Sequence, residues 1–185
     1  MSAIVKLMAA AAACGMGGLA WAAPADDALC ILEPVSAGDR LVIVEQLLRD
    51  GMAEPTVLEG EVHERYMARV LSCAERFGWN DEQASTSSAY AASLIVRDEL
   101  RGRLSAAGVN VAYLDGWLVR QSDTFRTSAF LDMPVQELEE ALATLPAAEL
   151  SADAFEANAQ SITVYLASRV HIERSERAHT LQPRP

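Results

Sequence analysis

Lysine is all but missing from this 185-residue chain: Lys6 is the only one. From Ala23 onward the positive charge rests on 14 arginines against 26 acidic residues, which gives 14 − 26 = −12 for residues 23–185. That balance repels nucleic acid phosphates and anionic lipid surfaces, and the arginines form no stripe that could overcome it. Nucleic acid is therefore excluded as a partner. Arginine without lysine, beside 33 alanines, reads as the codon usage of a GC-rich genome rather than as an anion-binding device.

Aromatic residues are also scarce, at 6%. Together with the lack of any period-2 run long enough for a strand, this points away from sheet structures and towards helices packed on small side chains. No internal repeat is present, and no segment is long and apolar enough to be a permanent membrane span.

Catalytic signatures are missing too. There is no G-x-S-x-G, no S-x-x-K after the leader, and no phosphate-cradling G-x-x-x-x-G-K or G-x-G-x-x-G. The acidic pair Glu139 and Glu140 falls on a water-facing helix surface, where neither carboxyl has an apolar pocket to raise its pKa. Histidine occurs three times, as His63, His171 and His179. Glu59 and His63 share a helix face, with Met67 continuing the row, but the ligands that a zinc or di-iron site takes from other helices have no counterpart. Neither metal nor cofactor is expected.

What is present begins with residues 1–22, which read as a secretory signal peptide: a basic start at Lys6, an apolar run from Leu7 to Leu19, and Ala20-Trp21-Ala22 as the cleavage site. A competing reading takes Cys14, after three alanines and before Gly15, as a lipid-attachment site. It lacks the larger aliphatic residue usual three places before such a cysteine. Both readings place the domain outside the cytoplasm.

Export leaves two cysteines, Cys30 and Cys73, in an oxidising compartment, and they are expected to pair. Neither has a C-x-x-C partner or an adjacent histidine, so thiol redox chemistry is a poor reading.

The stretch on which the chain centres is Val57–Trp79, an amphipathic helix capped by Thr56 with Glu59 and ended by Gly78, with Cys73 in its stripe. It is expected to be the central strut. A short extended lead-in, residues 23–34, precedes a first helix that starts at Ser36 or Asp39 and buries Leu41, Val44, Leu47 and Leu48. Asn80 with Gln83 opens a third helix over 81–107, and Asn110 a fourth over 111–130. Residues 135–145 and 152–177 complete the set, and 178–185 read as a disordered tail.

The expected fold is all-α, an irregular up-and-down bundle of five or six helices with one disulfide, in a single domain over 23–177. The expected function is that of a small exported protein of the bacterial cell envelope, periplasmic or secreted, a non-enzymatic module binding an envelope protein or a small molecule. The alternative is a small-ligand carrier or enzyme whose site surrounds the fourth helix. There Trp117, Arg120, Gln121, Asp123 and Arg126 bring an aromatic ring, two guanidiniums and polar partners within two to three turns, a surface on which a carboxylate could dock.

Overall fold

In the computed structural model the described residues are 25–49, 60–128, 130, 133–145, 150 and 152–180. The leader, Cys14 and the 50–59 connector lie outside them. Every regular element among the described residues is a helix. In chain order these are α1 (Ala25–Ala28) with a 3-10 turn (Leu29–Ile31), α2 (Ala37–Arg49), α3 (Gly60–Phe77), α4 (Asp81–Ala106), α5 (Val111–Val119), α6 (Asp123–Ser128), α7 (Val135–Leu142) and α8 (Ala152–Thr180).

The lead-in expected to be extended is helical. Ala28 and Ile31 are both fully buried while Leu29 is exposed. A helical turn puts residues three apart on one side, which alternation along a strand does not. The Sγ atoms of Cys30 and Cys73 lie 2.09 Å apart, at disulfide distance, joining this turn to α3. Ser36 Oγ accepts from Asp39 N at 3.0 Å and so caps α2. The buried side of α2 is Ile43 and Val44, with Leu41 facing outward.

Among the described residues α3 begins at Gly60, whose φ of 73° is left-handed; the expected cap of Thr56 with Glu59 lies outside the described residues. Tyr66, Val70 and Cys73 form its buried stripe, and Leu71 is exposed.

The corner after α3 follows its sequence closely. Gly78 is left-handed at φ 68°, and Trp79 N donates to Ala74 O at 2.9 Å, the Schellman closure. The Trp79 ring stacks on Phe77 with centroids 5.6 Å apart. Asn80 Oδ1 then accepts from Gln83 N while Gln83 Oε1 accepts from Asn80 N, both at 2.9 Å, a reciprocal capping box that opens α4.

The centre of the molecule is the pair α4 and α8, which share the most extensive helix–helix contact. Ile162, Tyr165, Leu166 and Val170 are almost wholly buried on α8, and Ile95, Leu100 and Leu104 on α4. Each such side chain contributes about 1.5–3 kcal/mol of burial. The small residues of the first half of α4, with Ser87 and Ala91 fully buried, allow close approach. α3 packs beside this pair and is not the centre.

The expected helix over 111–130 is two. Gln121 Nε2 donates to Trp117 O at 3.1 Å, closing α5, and Ser122 Oγ accepts from Phe125 N at 3.1 Å, opening α6. At the far end of the chain α8 runs on to Thr180, past residue 177.

Candidate functional site

Of the surface between elements, the stretch between the lead-in, α2 and α3 forms a groove of about 340 Å³. Pro34, Val35 and Ile43 line one wall; Val62, Tyr66, Arg65, Arg69 and Ser72 line the α3 side. Residues 62, 65, 66, 69 and 72 recur at three and four, so one face of α3 supplies the whole wall.

Three ties hold the opposite rim. The Cys30–Cys73 pair anchors the lead-in to α3 one residue beyond Ser72. Arg40 donates to the backbone oxygens of Val35 and Leu32, each at 3.3 Å. Asp39 and Arg65 join α2 to α3 through an Nη2–Oδ1 contact of 2.5 Å, and Glu61 meets the same guanidinium at 3.3 Å. The Arg65 guanidinium holds the Asp39 carboxyl below the usual carboxylate range, with Ser36 adding a lesser hydrogen bond.

Arg69 is different. Its Nε is buried and meets no acceptor, and among the described residues no carboxylate pairs with it. Asp39 is neutralised by Arg65, which among the described residues leaves the Arg69 charge on the lining without a paired carboxylate. The Nε atoms of Arg126 and Arg169 are buried without a hydrogen bond as well, so it is the missing carboxylate that sets Arg69 apart from Arg65 on the lining.

The proton chemistry of the lining suits holding better than reacting. Guanidiniums do not release protons near neutrality, and Asp39 is held ionised. Tyr66 donates its hydroxyl to Ser88 O at 2.6 Å, away from the groove, and burial pushes its pKa up to about 12. Ser72 has no histidine among the lining residues to act as its base.

The residues nominated from the sequence around 117–126 take separate roles. Trp117 is buried, its Nε1 donates to Thr144 Oγ1 at 3.0 Å, and Phe125 meets it edge-on at 5.5 Å. Arg120 lies over the Tyr113 ring at 5.8 Å. Gln121 caps α5 as described. Asp123 and Arg126 do come together, bonded to each other, with Arg126 also on Glu173 at 2.9 Å and Arg177 spanning Glu173 at 2.7 Å and Asp123 at 3.4 Å. This four-residue ionic cluster fastens α6 to α8.

His63 and Met67 are half-buried on α3, while Glu59 and the side chain of His179 lie outside the described residues. His171 on α8 has both ring nitrogens buried without a partner, and burial, with Arg174 second, lowers its pKa to about 4. A second polar knot lacks any sequence signature. Asp115 receives Arg101 at 2.6 Å and the Tyr165 hydroxyl at 2.8 Å, with Arg169 3.3 Å away, tying α4, α5 and α8.

The groove itself has a faint trace in the sequence, since Arg65 and Arg69 flank the buried Tyr66 and only Arg65 has an acidic residue, Glu61, four places before it. No family model, curated protein or solved structure matches the chain.

Proposed function

We propose that the chain is an exported, non-enzymatic binding protein of the bacterial cell envelope, which holds a small ligand in the groove between α2 and α3. The observation that carries this reading is Arg69, a guanidinium on the lining of a partly apolar groove that no carboxylate among the described residues pairs with. A ligand anion in the groove would supply the missing countercharge.

Export is supported by the leader-like residues 1–22 and by two cysteines that an oxidising compartment would keep bonded. Among the described residues no helix is long and apolar enough to cross a membrane. The helices read as an irregular up-and-down bundle, a scaffold in which short connections hold neighbouring walls in fixed relation. The carrier or enzyme alternative keeps its site around the fourth helix; the groove is the site of the reading proposed.

Two measurements test the proposal. Protein recovered from the envelope fraction of an expressing bacterium should have an intact mass beginning at Ala23 with no reactive thiols. A cytoplasmic chain with two alkylatable cysteines would sink the export reading. In ligand-observed NMR, fragments of about ten heavy atoms should bind the wild type and lose their signal with Val62→Trp, which fills the groove. Binding indifferent to Val62→Trp would remove the groove from the function.

A further inference from the structure

We infer that the groove selects a monoanionic amphiphile, a carboxylate on a short aliphatic tail, with Arg69 as its anion anchor. The inference rests on the groove being the binding site and adds the class of ligand.

Charge sets the head group. Arg65 is neutralised by Asp39 and also meets Glu61, so among the described lining residues Arg69 is the guanidinium left without a carboxylate. One such guanidinium matches one negative charge, and a planar carboxylate matches the fork of guanidinium N–H donors. A dianion would leave a charge unpaired, and the overall charge of −12 over residues 23–185 disfavours polyanions at longer range. A cation would meet Arg69 without compensation.

Size and lining set the tail. At about 30 Å³ per water-sized group, 340 Å³ houses on the order of ten heavy atoms. Val35, Ile43, Val62 and the Tyr66 ring give those atoms an apolar bed, while the Tyr66 hydroxyl is occupied by Ser88. Octanoate, with ten heavy atoms, is the matching probe.

The test compares octanoate, octanol and octylammonium by titration calorimetry below their aggregation limits, on the oxidised mature protein. Octanoate should bind about tenfold or more tighter than octanol, the range of one charge-assisted hydrogen-bonded contact, and octylammonium no tighter than octanol. Arg69→Gln should remove the octanoate advantage and leave octanol unchanged, and Arg69→Lys should keep part of it. Equal affinity for octanoate and octanol on the wild type overturns the inference, whether or not the variants fold. If those equal affinities are both lost in Val62→Trp, the groove survives as a site and only the anion selectivity falls. If no probe binds, both fall.

Discussion

Lowering the pH should destabilise this protein through one residue, His171. Both its ring nitrogens are buried without hydrogen-bond partners, and burial first, then the charge of Arg174, lowers its pKa from 6.5 to about 4. The unfolded chain therefore binds a proton that the folded chain refuses between those values. Stability is full above about pH 6.5, falls as the pH drops through that window, and levels off below about pH 4. With these two values the loss is about 2 kcal/mol between pH 7 and pH 5 and approaches about 3 kcal/mol at the plateau. Asp39 and Asp123 are held low by arginine partners, so the stability they confer is lost only at more acidic pH. Urea unfolding of the oxidised protein at pH 7, 6 and 5 gives the slope directly. His171→Leu should flatten it, because the leucine has nothing to protonate. Parallel wild-type and variant profiles across that range would refute the assignment.

Three further outcomes are expected. Reduction of the Cys30–Cys73 pair, or Cys30→Ala with Cys73→Ala, should cost about 4 kcal/mol in urea unfolding, the chain-entropy value for partners 43 residues apart; a loss below about 1 kcal/mol would show that the lead-in is held by other contacts. Asn80→Ala should cost about 1 kcal/mol by removing one half of the capping box, and Gly78→Ala about 1–2 kcal/mol by forcing a Cβ into left-handed backbone, both read from denaturation midpoints. Trp117→Ala should destabilise by about 3–5 kcal/mol, whereas Arg120→Ala, which loses only an outer contact with Tyr113, should cost no more than about 1 kcal/mol. A stable Trp117→Ala protein would mean that the indole belongs to a binding surface and not to the core.

The features legible in the sequence are those made by neighbours along the chain. Asn80 and Gln83 satisfy each other's backbone donors three residues apart, and Gly78 supplies a backbone conformation that other residues resist, so the corner between α3 and α4 is written locally. The cysteine pairing follows from counting. The break between α5 and α6 was hidden because Gln121 and Ser122 act by capping, inside a run whose composition still suits a helix. The central place of α8 was hidden for the opposite reason. Its sequence stripe of Phe155, Ala159, Ile162, Leu166 and Val170 marks one buried face, but Val164, Tyr165, Leu166, Ala167 and Ser168 are consecutive and all buried, and a single stripe does not reveal a helix covered on every side. α3, half in water, shows the clearest stripe and so looked central. The groove needs Pro34 to Ile43 placed against α3, a juxtaposition that no local pattern encodes.

The three ties on the groove rim are more than its own packing calls for. Pro34 is exposed and Cys30, Leu32 and Val35 are only half-buried, so Ala28 and Ile31 are the fully buried residues that hold the lead-in by packing. Left to burial alone, a segment of that kind frays. Here a covalent bond at Cys30, two backbone contacts from Arg40 and the Asp39–Arg65 bridge all converge on about ten residues. Their combined effect is to fix one wall of the groove, and on the reading proposed above this lowers the ordering cost of binding. On that same reading, a chain whose cysteine bond forms only after export has the wall opposite Arg69 fully tied only there, and the reduced chain would hold that wall by Arg40 and the Asp39–Arg65 bridge alone.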